Sequence, residues 1–311
     1  MYLGIDLGGT KIEAVVLTTT EGDQFGDILY RKRVNTPMKD YEATLRAIKT
    51  LIDQADNDYG PFYAVGVGTP GAVSTKTGAM KNCNSTCLNG QYLLNDLEQI
   101  TGKRVVQAND ANCFALSEAI DGSAAGDRVV FGVILGTGVG GGVVINGEVL
   151  QGANRIAGEW GHNPMPLSML PEGERRACYC GKINCVETYL SGHGFAQTYQ
   201  TLIGAQSGLV GNPMAHDIAL LIDRKDKQAL CALDIYSKQL AAALSEVINI
   251  LDPDTIVLGG GMSNIEELYS RVLRWLPEFV FSDSVETKVR PPTYGDSSGV
   301  RGAAWLVRGE V

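Results

Sequence analysis

The sequence predicts an α/β protein built as two related halves that face each other. Two observations carry this reading. Residues Gly4-Ile5-Asp6-Leu7-Gly8-Gly9-Thr10-Lys11 join two short apolar, β-branched runs, which reads as strand, glycine turn, strand. The same pattern returns 128 residues later: Gly4-Ile5-Asp6-Leu7-Gly8 falls over Gly132-Val133-Ile134-Leu135-Gly136. Further strands running into glycine turns complete the pattern, because open α/β sheets place ligands where such strands end.

The first turn offers three kinds of group in order. Asp6 ends its strand with a carboxylate suited to a cation. Gly8 and Gly9 bring backbone N–H groups close to an anion, and Thr10 adds a hydroxyl. Lys11 follows the threonine and a strand follows Lys11, whereas a Walker loop needs Lys before Ser/Thr and then a helix. A plain Gly-Gly hairpin would look the same at this point. The second copy lacks the charge, since Ile134 stands in the place of Asp6. One turn would then serve metal plus phosphate, and the other, Gly136-Thr137-Gly138, phosphate alone.

Composition narrows the classes. The 311 residues, 44% hydrophobic and 20% charged, suit a sizeable globular core. The net charge of −9 and the absence of a basic stripe argue against nucleic acid. No run approaches about 18 apolar residues, so no membrane span is expected. With Asp6 interrupting any leader, the sequence predicts a cytoplasmic protein.

The remaining elements follow in order. Residues 23–36 read as strand. Residues 40–57 read as a helix, with Leu45, Ile48, Leu51, Ile52 and Ala55 on one face and Gly60 at its end. Residues 64–68 form a buried strand running into Thr69-Pro70-Gly71. Residues 81–91 carry Asn82, Asn84 and Asn89, either as a solvated loop or as carboxamides for a sugar. Strand 105–108 reaches Asn109-Asp110-Ala111-Asn112, ahead of a helix over 113–121. Asp110 can be an N-cap or a general base flanked by two amides. Strands 129–135 and 139–145 bracket the second turn. Val186 to Leu202 reads as one helix, Pro213 as a helix start, and 226–251 as one helix about 39 Å long. Strand 255–258 ends in Gly259-Gly260-Gly261, flat enough to face adenine or ribose. Ser263 and Glu266 read as a capping box, and 300–306 as a terminal helix.

Three of the seven cysteines, Cys178, Cys180 and Cys185, crowd one short run, downstream of Glu159 and His162 and just before Glu187. One His and three Cys suit tetrahedral zinc, closed and structural; three free thiols in a loop are the alternative. His193 and His216 read as ordinary surface or core residues.

These motifs together resemble the ROK family of bacterial sugar kinases and repressors, essentially end to end. The loops around Asn84, 109–118 and 295–302 look most like its fructokinase/mannokinase branch, with N-acetylglucosamine kinases the nearest neighbour. The resemblance implies an actin-like, ribonuclease H-like duplicated fold of two lobes with a cleft between them. Residues 1–118 plus the C-terminal helix 297–311 would form the small lobe, and 119–296 the large lobe with its zinc loop. ATP would lie between the lobes. Asp6 would act through Mg2+, with Gly8, Gly9, Thr10 and Lys11 near the phosphates, Gly136, Thr137 and Gly138 opposite, and Gly259, Gly260 and Gly261 on the adenosine. Asp110 would be the base. Gly71, Asn84, Asn109, Asp110, Glu159, His162 and Glu187 would bind a hexose, fructose first. His162, Cys178, Cys180 and Cys185 would hold the zinc, and the chain would form a homodimer. A DNA-binding regulator of this family carries a helical extension ahead of the glycine hairpin. Here the hairpin starts at Met1, and Asp6 and Asp110 are intact, so an enzyme is expected.

Overall fold

The structure, a computed structural model, describes residues 1–19, 25–83, 85–204 and 213–309. Strands β1 (Tyr2–Leu7) and β2 (Lys11–Leu17) form the expected hairpin, paired from Tyr2 with Leu17 to Leu7 with Ile12. β3 (Ile28–Asn35) pairs antiparallel with β2, bent by a register shift at Val16 and Leu17. Asp23 and the residues beside it lie outside the described residues. Helix α1 (Tyr41–Tyr59) starts where the Asp40 carboxylate accepts from the Ala43 N–H at 2.9 Å. Its buried face carries the five apolar residues named from the sequence.

The chain continues through β4 (Ala64–Thr69), the two-residue β5 (Ala72–Val73) and β6 (Met80–Lys81), α2 (Leu93–Thr101), β7 (Arg104–Asn109) and α3 (Asp110–Ile120). The sequence pattern does not reveal α2. It is short and buries only Leu93 and Leu97, so its helical period is weak. Next come β8 (Val129–Leu135), β9 (Val139–Ile145), β10 (Glu148–Val149), α4 (Glu187–Leu190) and α5 (Gly192–Ile203). The single helix expected after Val186 is thus two. Ser191 leaves helical geometry, and its hydroxyl accepts from Gly194 N–H at 3.1 Å, capping α5. Helix α6 (Ala215–Asp223), α7 (Lys227–Leu251), β11 (Thr255–Gly259), α8 (Glu266–Trp275), β12 (Lys288–Arg290) and α9 (Ser298–Trp305) complete it. α6 starts two residues after Pro213. The capping box at Ser263 is absent. The Ser263 hydroxyl donates instead to Gly260 O at 2.7 Å, and Ile265 precedes α8 without a side-chain cap.

The two sheets share one plan. The first runs β3-β2-β1-β4-β7, and the second runs β10-β9-β8-β11-β12. In each, the first strand of the copy sits centrally and pairs parallel with a later strand: β1 with β4, β8 with β11. The duplication read from the glycine turns is therefore a duplication of topology.

Two compact units emerge: Met1–Gly126 with Gly142–Ala157 and Thr293–Val311, and Asp127–Gly141 with Gly158–Pro292. The first thus includes residues 119–126, 142–157 and 293–296 as well as the ranges suggested by the sequence. β9 passes from one unit into the other, which no division into a few long segments expresses. In the first unit Leu3, Ile5 and Leu7 face the apolar side of α1. Alternation turns Gly4 to the other face of the sheet, against α9. There Gly66 is held so close that a methyl group would stand 1.7 Å from Ala303 O. The lack of a side chain lets α9 lie directly on β1 and β4.

Candidate active site

In the first unit the site forms where β1 and β7 end. The hairpin turn is closed by Gly8 N–H donating to Lys11 O at 3.0 Å, and the Thr36 hydroxyl donates to Gly8 O at 2.7 Å. Gly8 therefore shapes the turn and does not offer its N–H outward. Gly9 and Thr10 form the exposed tip. Below it, Glu13 is buried and ion-paired with Arg31 at 2.5 Å and Arg33 at 2.7 Å.

Burial pushes the Asp6 carboxyl up to about 7. Asp110 and Glu13 raise it further, and Lys11 and Arg33 oppose them. A buried carboxyl whose proton affinity a second carboxylate raises forms, with that neighbour, a donor set suited to a hard divalent cation. Gly68 and Gly299 leave space beside Asp6, since a methyl at either would lie 3.5 to 3.6 Å from its oxygens.

Asp110 is the first residue of α3. The cap is its neighbour: the Asn109 carboxamide accepts from Asn112 N–H at 2.8 Å. The ordinary explanation for an Asp at this junction therefore passes to Asn109. The Asp110 carboxylate accepts from Ala111 N–H at 2.9 Å, at the N-terminus of α3, the positive end of the helix dipole. Gly71 adopts φ +72 and packs on residues 81 and 83. Asn84 lies outside the described residues. Asn89 is spent on its own loop: its carboxamide accepts from Cys83 N–H at 2.8 Å and donates to Cys83 O at 3.0 Å.

In the second unit the two other glycine turns converge. Gly136 and Thr137, with Gly261, Met262, Asn264 and Ile265, line a cavity of about 500 Å3, a size suited to a small molecule. Its other walls come from α5 and α6 through Gly192, His193, Met214, Ala215, His216, Ala219 and Asp223. Gly136 N–H donates to Gly138 O at 3.0 Å, and Gly136 O accepts from Gly192 N–H at 2.8 Å. The break at Ser191 thus aims the N-terminus of α5 at the turn, a favourable end for an anion. Gly259 is the last residue of β11. Gly260 has φ +80, and a side chain there would lie 2.6 Å from the Leu135 backbone. A methyl on Gly261 would meet nothing. His193 and His216 are exposed surface residues, and both line this cavity. No local pattern signals this, because the helices carrying them reach the turns only through tertiary packing.

The cysteine run folds onto His162. All four ligand atoms of His162, Cys178, Cys180 and Cys185 lie within 4.8 Å of one another. His162 Nδ1 stands 3.6 Å from Cys178 Sγ, and Cys180 Sγ 3.6 Å from Cys185 Sγ. Tetrahedral zinc, with Zn–S near 2.3 Å, sets ligand separations of roughly 3.8 Å, so the donor set and its spacing could hold that ion. His162 Nε2 is held by the Tyr179 hydroxyl at 3.0 Å, which orients the ring. Glu187 joins this cluster to the second turn: one oxygen accepts from Val139 N–H at 2.9 Å, the other lies 4.0 Å from Cys178 Sγ. Glu159 is exposed beside the buried Trp160, whose indole packs edge-on to Phe131. Arg176 escapes a reading of the sequence. It is buried, donates to Thr188 O and Gly194 O, and ties the run to α4 and α5.

A model described as the ROK family matches residues 2–310. The chain belongs to the ROK family. It is 39% identical over 313 residues to an N-acetyl-D-glucosamine kinase of Photobacterium profundum, covering 98% of this chain and 99% of that one. Among solved structures, a ROK hexokinase from Thermus thermophilus superposes with TM-score 0.84 at 28% identity, covering 99% of this chain and 98% of that one. A ROK glucokinase from Streptomyces griseus, in complex with glucose and AMPPNP, gives TM-score 0.74 at 29% identity, covering 99% of each chain. The chain therefore takes its place among the sugar kinases of the ROK family, with their actin-like two-lobe α/β fold. The curated relatives most similar in this comparison are N-acetyl-D-glucosamine kinases, whereas the loops look most like the fructokinase/mannokinase branch. Among the described residues no helix is long and apolar enough to cross a membrane.

Proposed function

We propose that this protein is an ATP-dependent kinase that phosphorylates N-acetyl-D-glucosamine on its 6-hydroxyl. The observation that carries the sugar is the 39% identity, over nearly the whole chain, to a kinase of that name. The geometry supports the chemistry. Phosphoryl transfer needs positioning and charge neutralisation more than covalent participation. Asp110 accepts the proton of the attacking hydroxyl, a role supported by its place at the strand-to-helix junction and by Asn109 having taken over the cap. Asn109 in the first unit, and Glu159 and Glu187 in the second, are the proposed ligands of sugar hydroxyls; Glu187 keeps one oxygen on Val139 N–H and the other on the Cys178 side. The exposed tip at Gly9 and Thr10 and the turn at Gly136, Thr137 and Gly138 hold phosphate oxygens. The cavity beside Gly261 takes the adenosine. Asp6, with Asp110 near enough to raise its proton affinity, would hold Mg2+, which neutralises phosphate charge when bound. His162, Cys178, Cys180 and Cys185 would hold structural zinc.

The test is ADP release with N-acetylglucosamine, N-acetylmannosamine, glucose, mannose and fructose. The expected result is the highest kcat/KM with N-acetylglucosamine. A clear preference for fructose returns the substrate to the fructokinase branch. No turnover with any of the sugars, in protein that still binds them, leaves a sugar-binding regulator.

A further inference from the structure

Glu118 lies near the end of α3 and is fully buried, yet the phosphoryl-transfer chemistry described above does not use it. A carboxylate withdrawn from water must find donors inside the protein. Three converge on this one. One oxygen accepts from the Ser123 and Thr293 N–H groups, both at 3.0 Å, and the other accepts from the Ser298 hydroxyl at 2.7 Å. Two of these donors are remote in the chain. Thr293 is where the chain returns to the first unit, and Ser298 is the first residue of α9. Glu118 therefore gathers the end of α3, the returning chain and the start of α9.

Helix α9 needs such a tie. It meets its neighbours through small residues. Gly4 and Gly66 of the sheet face Ala304 and Ala303, and Gly302 lies against the Cys113 backbone of α3 with no room for a methyl group. Contacts of this kind set how closely the elements approach. They offer no side-chain ridges to stop α9 sliding along its axis. Directional polar contacts supply the stop. Glu118 holds Ser298, and one turn on from each, Asp121 pairs with Arg301 in a second buried contact.

The position of α9 matters because of the residue after Ser298. Gly299 passes so close to Asp6 that a methyl on it would lie 3.5 Å from the carboxylate. Helix α3, in turn, begins with Asp110. We infer that Glu118 is a positioning residue: by clasping Ser298 it fixes the start of α9 against Asp6 and ties it to the helix that carries Asp110. The inference rests on the proposed roles of Asp6 and Asp110 and adds the part that keeps the two carboxylates in register. A misplacement of about 1 Å at such a site can cost about a hundredfold in rate.

The experiment uses ATP and the preferred sugar with parent, Ser298→Ala, Glu118→Ala, Glu118→Gln and Asp110→Ala proteins. It follows kcat, both KM values, and hydrogen–deuterium exchange of residues 298–305 in metal-free protein. Ser298→Ala releases α9 and leaves Glu118 its two backbone donors. Glutamine can replace every contact, since its carbonyl accepts the two N–H groups and its amide donates to the Ser298 oxygen. The expected result is a fall of at least tenfold in kcat for Ser298→Ala and Glu118→Ala, with KM values within threefold of the parent and faster exchange at 298–305. Glu118→Gln should rescue kcat to within threefold. A Ser298→Ala kcat within threefold of the parent, even with a lower Tm, overturns the inference, as does unchanged exchange at 298–305. Parental kcat in Asp110→Ala overturns the base reading and the inference that rests on it. A collapsed kcat in Asp110→Ala beside a parental one in Ser298→Ala overturns the clasp alone.

Discussion

Replacing Asp6 by Asn isolates the energetic cost of holding a buried carboxylate ready for a cation. Burial, Asp110 and Glu13 together carry this carboxyl from its ordinary 3.8 to about 7. That displacement corresponds to on the order of 4 kcal/mol once the group is fully ionised in the fold. The sign is fixed by proton counting. Between pH 4 and 7 the unfolded chain has released this proton while the folded chain keeps it. Stability therefore falls as pH rises through that window, by up to about 1.4 kcal/mol per pH unit, and levels off above 7. The asparagine cannot ionise, so the variant escapes the loss. Urea unfolding of metal-free protein in EDTA should show the Asp6→Asn variant gaining on the parent by about 3 kcal/mol between pH 5 and 8. The same variant should lose about a hundredfold or more in kcat/KM, because the phosphates lose the cation held there. A stability difference that is the same at pH 5 and pH 8 would refute the reasoning. So would a variant of parental activity.

Three other substitutions test the remaining parts. Asp110→Ala should lower kcat by roughly 10²- to 10⁴-fold while calorimetry still detects sugar binding; a kcat within about threefold of the parent removes the base assignment. Cys180→Ser should release the metal and weaken sugar binding, and equal metal content in variant and parent by atomic absorption rules out the zinc cluster. Gly260→Ala forces a left-handed residue costing about 1–2 kcal/mol and drives its methyl toward Leu135. It should lower Tm and raise the KM for ATP, and parental values of both would show that the third turn does not shape the nucleotide cavity.

Much of the fold was legible because it is written in local pattern. The hairpin at 4–11 and its copy at 132–138 rest on β-branched runs around glycine, and both sheets bear this out with one shared strand order. The buried face of α1 is a 3.6-residue period and needs no tertiary information. Readings failed where two local signals competed. Ser191 is a helix former or a cap depending on what Gly192 meets, and Gly192 meets Gly136. Ser263 has the spacing of a capping box, but its hydroxyl finds Gly260 O first. For Asn89 the sequence left a loop and a sugar contact both open, because carboxamides suit either, and here it closes its own loop.

The sequence by itself determined which chemistry the chain carries: an acidic strand end, three glycine turns, an Asn-Asp-Ala-Asn junction and a His-Cys-Cys-Cys set. These are short-range facts, set by residue type and spacing. Only the tertiary structure decided how those groups are shared out. It gave the cap to Asn109 rather than Asp110, brought His193 and His216 to the cavity, and left the Asn112 oxygen buried without a donor. The physical reason is that a hydrogen bond goes to whichever partner packing brings within reach, and packing joins residues far apart in the chain.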